Sequence, residues 1–118
     1  MNEYYQTKAS LPRQVKNSIS LREALENWRE HRLMGVANAC EGLDDPFRTD
    51  FGKVHVEFAK SINVILEEKN LQEAVTSWYA SLKDSFDNMR VFNKGGGKVG
   101  ALGICGAELE QIIKLGLP

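Results

Sequence analysis

The sequence predicts a mainly α-helical fold. Three longer helices are expected at about 21–41, 46–69 and 71–89, then a short Gly-rich β-hairpin at about 90–104 and a C-terminal helix at about 107–115. Three observations carry this reading. Two stretches place apolar residues at helical spacing. A helix-start signal precedes each long stretch. Glycine is concentrated in one segment, 94–106, which holds six of the ten glycines of the chain.

The chain has 118 residues, which fits one domain with a modest core. Residues 1–17 are polar and show no periodicity, so they read as a flexible polar arm ahead of a single small helical domain, 18–118. The first long helix starts at Ser20, whose S-x-x-E pattern with Glu23 forms a capping box, with Ile19 as the preceding staple residue. At about 100° per residue, Leu21, Ala24, Leu25, Trp28, Val36, Ala39 and Cys40 share one face. Arg32 falls within that face, whereas Leu33 and Met34 fall outside it, beside Gly35.

Asp45-Pro46 opens the second helix, because Asp is a favoured N-cap and Pro costs no hydrogen bond at the first helical position. Its seam is Phe47, Phe51, Val54, Phe58, Ile62 and Ile65, spaced 4, 3, 4, 4, 3. Asn70 and Glu73 cap the third helix, whose seam is Leu71, Val75, Trp78, Leu82, Phe86 and Met89 with the same spacing. The two seams are offset by 24 positions. On one continuous helix that offset would rotate them about 240° apart, so a turn near Asn70 should fold them into an αα-hairpin over a shared core. Beyond Asn88, Arg90-Val91-Phe92 and 99–104 bracket a glycine loop and read as the two strands of the hairpin. Gly106 then opens the last helix, with Leu109, Ile112 and Ile113 inward and Glu108 and Glu110 near its positive end.

Several kinds of chemistry are disfavoured. Gly95, Gly97 and Gly100 spell G-x-G-x-x-G, but the βαβ unit that gives that fingerprint its phosphate-binding geometry is not in place here. A P-loop would need Ser or Thr where Val99 stands. Neither zinc spacing nor a disulfide framework is present. A metal site would require His31, His55, Cys40 and Cys105 to converge, so no metal and no cofactor are expected. Cys105 is expected just before a helix N-terminus, where a thiol pKa can fall, which makes it the one cysteine worth testing as a nucleophile. The acidic pairs Asp44-Asp45 and Glu67-Glu68 sit at helix ends rather than converging from separate elements, so no catalytic residue is assigned.

The formal net charge of −1 provides no global field toward nucleic acid or a membrane, and the cysteine usage fits a cytoplasmic setting. The reading that remains is a non-catalytic regulator, bacterial or phage-encoded, that acts by protein–protein interaction. A concrete form is an antiactivator that binds a transcription factor and blocks its dimerisation or DNA binding. Leu33, Met34, Val56, Val64 and Tyr79 lie off the apolar seams and are the expected partner-binding residues. A homodimer is expected as well, since small helical chains often complete their cores by pairing. The alternative is a nucleic-acid-associated protein whose basic hairpin contacts phosphates through Arg90, Lys94 and Lys98.

Overall fold

The computed structural model describes residues 11–93 and 96–118, and side chains outside 89–95. Among these residues there are helices and no strand. We label them α1 (Arg13–Lys16), α2 (Leu21–Trp28), a π turn (Arg29–Leu33), α3 (Met34–Cys40), α4 (Pro46–Ile65), α5 (Leu71–Asn93) and α6 (Gly97–Lys114).

Helices α2, α4 and α5 start where their cap residues dictate. The Ser20 hydroxyl accepts the Glu23 amide at 3.1 Å and starts α2. The Asp45 carboxylate accepts the Phe47 amide at 3.0 Å with Pro46 at the first position of α4. Asn70 and Glu73 bond reciprocally, backbone to side chain at 3.1 Å and side chain to side chain at 3.2 Å, and start α5. The end of α4 differs from the expected 46–69. It stops at Ile65, and Arg22 donates to the Leu66 carbonyl at 2.5 Å, satisfying one of the last backbone acceptors.

Helices α2 and α3 run continuously through the π turn. A π turn inserts about one residue into the helical phase. The inward stripe therefore passes from Leu21, Ala24, Leu25 and Trp28 to Leu33 and Ala37, instead of Arg32, Val36 and Ala39. Leu33, expected on the outside, is fully buried (0% exposed), a direct consequence of this shift.

The segment expected to form a Gly-rich β-hairpin is helical among its described residues, apart from the bend at Gly96. Helix α5 continues through Asn93 and takes in the first expected strand, while α6 begins at Gly97 and takes in the second strand and the last helix together. The glycines serve close helix packing. A Cβ on Gly97 would lie 2.2 Å from the Phe47 carbonyl oxygen of α4, a backbone atom that cannot move aside cheaply. Gly100 packs on the Phe47 and Phe51 rings, and Gly103 on the Phe86 ring of α5. Gly96, at φ 95°, supplies the left-handed turn that enters the helix. Helix α6 thus packs extensively against both α4 and α5, and those two touch each other only sparsely. The expected αα-hairpin is therefore opened by the helix wedged into its core.

The inner face of α6 is Ala101, Cys105, Glu108, Leu109 and Ile112, at helical spacing and all buried. Trp28, Phe58 and Trp78 join α2, α4 and α5 at the centre, with ring centroids 5.4–6.3 Å apart. The expected arm is also part of this core over the residues described, since Leu11 and Val15 are buried in it. The chain closes on itself: the Leu21 amide donates to the Pro118 carbonyl at 2.7 Å, and the Gln72 side chain donates to the Leu117 carbonyl at 3.1 Å.

Candidate functional site

Because α6 holds α4 and α5 apart, their two walls leave an open groove near the turn that joins them. The groove has a volume of about 470 Å³. On the α4 side Val64 and Ile65 line it, and on the α5 side Ala74, Ser77, Trp78 and Ser81. Val64 is 65% exposed, on the solvent-facing stripe of α4 that also carries Lys53, Glu57 and Lys60. Trp78 is half-buried, its ring held from beneath by Trp28 and Phe58. The groove continues, through Glu68, Ala74 and Ser77, into a hollow lined by Glu67, Lys69, Asn70 and Glu73.

The five residues expected to bind a partner do not form one patch. Val64 lies in the groove. Leu33 is in the core, so its assignment as an exposed contact is corrected by the π turn. Met34 is exposed on α3, and Val56 is half-buried on α4. Tyr79 turns toward α6, where its hydroxyl donates to Glu110, which also pairs with Lys114 at 2.8 Å. That bond to Glu110 is the main reason the Tyr79 phenol is pushed up to about 12; burial adds to it. Lys114, then Tyr79, hold the Glu110 carboxyl below its ordinary value. Among the residues that sequence reasoning did not single out, Trp78, Ala74, Ser77 and Ser81 complete the groove. Trp78 was placed in a core seam, which it also serves.

Of the three residues proposed to contact phosphates, the Arg90 side chain and Lys94 lie outside the described residues. Lys98 is exposed in the first turn of α6. The β-hairpin that was to present them is replaced by helix.

A second cluster lies inside the fold. Glu108, 1% exposed, accepts the Trp28 indole N–H on Oε1 at 2.7 Å, and its Oε2 stands 3.4 Å from Nε of Arg32 in the π turn. Burial pushes the Glu108 carboxyl up to about 7, against the opposing pull of the Trp28 hydrogen bond and the Arg32 charge. His55 of α4 is also buried. Its Nδ1 lies 2.9 Å from the Phe51 carbonyl, which can only accept, so Nδ1 carries the proton. Burial lowers the His55 pKa, the Phe51 bond opposes this, and the Arg32 charge adds to the lowering. Cys105, three residues before Glu108 and mid-way along α6, has its thiol pKa raised, first by burial and then by the Glu108 charge. The expectation that it stands at a helix N-terminus is thereby corrected, and the buried neutral thiol is a poor nucleophile. His31 is exposed on the π turn, and among the described residues no three His, Cys, Asp or Glu side chains come together as a metal site. Among those residues, too, no helix is long and apolar enough to cross a membrane.

Compared with known proteins, the chain matches no family model, no curated protein and no solved structure.

Proposed function

We propose that the protein is a non-catalytic module that binds another protein, and that its binding surface is the groove between α4 and α5. The observation that carries this reading is Val64, 65% exposed on the wall of an apolar groove floored by Trp78. An exposed valine beside a half-buried tryptophan is the composition of an interface centre, where aromatic anchors are enriched and charges depleted. The buried Glu108 carboxyl is closed off by Trp28 and Arg32 and is not part of the proposed binding surface. The regulatory form, an antiactivator that occludes a transcription factor, adds a partner class to the same surface and rests on the sequence argument alone.

The test compares three baits in lysate of the source cell, each with and without nuclease: the unaltered chain, Val64→Glu and Lys98→Glu. The expected result is a stoichiometric protein retained by the unaltered chain and by Lys98→Glu and lost with Val64→Glu, with helical circular dichroism unchanged in all three. A partner retained equally by Val64→Glu would remove the groove from the interaction. Recovery that disappears on nuclease treatment and on Lys98→Glu would favour the nucleic-acid reading.

A further inference from the structure

The groove has a chemical polarity that narrows what can fill it. Its middle is mostly apolar, with Val64, Ile65 and Trp78 beside Ser61, and it carries on the α5 wall the small residues Ala74, Ser77 and Ser81. The last three recur at helical spacing and are small, so another backbone can come close to α5 there. Its end toward the α4–α5 turn carries Glu67, Glu68 and Glu73 against one cation, Lys69. The end of α4 is already satisfied, by Arg22 on the Leu66 carbonyl and by the Glu67 and Glu68 amides on the Val64 and Ile65 carbonyls, so the negative potential here comes from the glutamates. Both walls of the groove are helices, and no strand edge is available among the described residues for an extended peptide to pair with.

We propose that the occupant is a basic amphipathic helix of a partner protein. Its apolar stripe lies over Val64 and Trp78, and a Lys- or Arg-bearing turn lies over Glu67 and Glu68. This deepens the groove reading and rests on it. The apolar stripe supplies most of the affinity, and the carboxylates fix which way the helix runs and exclude acidic helices of the same shape. A partner helix of about 18 residues would be about 27 Å long, comparable to the 28 Å width of the molecule.

The experiment uses two synthetic amphipathic helices of roughly 18 residues, long enough to span the face. Both have Leu on one stripe; one carries Lys on its polar face and the other Glu. Binding is read by anisotropy of a labelled peptide and by the Trp emission of the protein, which reports on Trp78 at the groove. Val64→Glu tests the groove, and the double variant Glu67→Lys/Glu68→Lys tests the charge. The double variant leaves the Asn70–Glu73 cap intact and places cations at a helix C-terminus, where they are tolerated. The Lys peptide is expected to bind, to shift the Trp emission to the blue, and to bind the double variant about tenfold or more weakly, as reversing two facing charges implies. The Glu peptide is expected to gain on the double variant. Equal binding of both peptides, unchanged by the double variant but lost with Val64→Glu, would overturn the basic-helix inference and leave the groove reading standing. Binding indifferent to Val64→Glu would remove both. No binding of either peptide, with a dimer in sedimentation that Val64→Glu dissociates, would identify a second copy of the chain as the occupant and overturn the inference.

Discussion

Glu108→Gln offers the sharpest physical test of the buried cluster, through the pH dependence of stability. In the folded protein the carboxyl titrates near 7, against an ordinary value of 4.5. A group whose proton affinity is raised by folding stabilises the fold while it is protonated. Its contribution is complete below about pH 4.5, declines as pH rises, and is gone above about pH 7. The gap of about 2.5 pH units corresponds to roughly 3 kcal/mol at about 1.4 kcal/mol per unit. Gln keeps an oxygen for the Trp28 indole and removes the titration. It also removes the ion pair with Arg32, whose Nε is buried; that cost is an offset that does not change with pH, because Arg32 stays charged throughout. Folding free energies from urea denaturation, followed by Trp fluorescence between about pH 4 and 8, give the difference between the two proteins. Relative to Glu108→Gln, the unaltered protein should lose roughly 3 kcal/mol across that range. His55 produces the opposite slope: its lowered pKa costs stability as pH falls below 6.5. It is present in both proteins and cancels in the difference. Parallel curves would refute the reasoning. A difference that grows with pH would mean that the Arg32 pair outweighs burial and that Glu108 is ionised in the fold.

Three substitutions separate packing from propensity. Gly97→Ala forces a Cβ to 2.2 Å from the Phe47 carbonyl and should cost about 2 kcal/mol or more in urea denaturation, as overpacking against backbone does. Gly106→Ala, in the same helix with nothing within 4 Å of the added Cβ, should stabilise by about 0.5–1 kcal/mol through helix propensity. Leu33→Ala should cost about 2–5 kcal/mol, the range for a large aliphatic side chain removed from a core. A near-zero cost there would place Leu33 at the surface and contradict the phase shift of the π turn.

The starts of the three long helices were legible because each is fixed by local chemistry. Ser20 with Glu23, Asp45 with Pro46, and Asn70 with Glu73 satisfy backbone donors within one turn of themselves, and the sequence alone displays that. The seams of α4 and α5 were legible in part: Val54, Phe58, Ile62 and Val75 are buried, Phe51, Ile65, Leu71, Trp78, Leu82 and Phe86 are half-buried, and Phe47, expected in the seam, is 50% exposed. The glycine segment was misread because its residues carry two meanings. Val99, Leu102 and Ile104 among glycines satisfy a strand pattern, and glycine is a poor helix former in isolation. What makes the segment helical is non-local. The Phe47 backbone and the Phe86 ring press against it from two other helices, leaving no room for side chains at Gly97 and little at Gly103. The one local trace was the spacing of Ala101, Cys105, Leu109 and Ile112, a helical face running through the expected strand.

Glu108 and the groove were illegible for a related reason: both are consequences of α6. Once α6 spans Gly97–Lys114, Glu108 falls on the same face as Cys105 and Ile112 and must enter the core, where Trp28 and Arg32 meet it. Arg32 reaches it from the π turn, and the sequence does carry a sign of that turn. The inward apolar positions jump by five, from Trp28 to Leu33, a step that an α-helix does not allow on one face and a π turn does. The same wedge that brings Glu108 inward parts α4 from α5 and uncovers Val64 above Trp78. Trp28 links the two results. Its indole N–H holds Glu108, and its ring lies 6.3 Å from that of Trp78. The buried polar cluster therefore fixes the aromatic floor on which the groove rests. An interface variant should be placed at Val64, on the wall, rather than at Leu33, where loss of binding would only report loss of the fold.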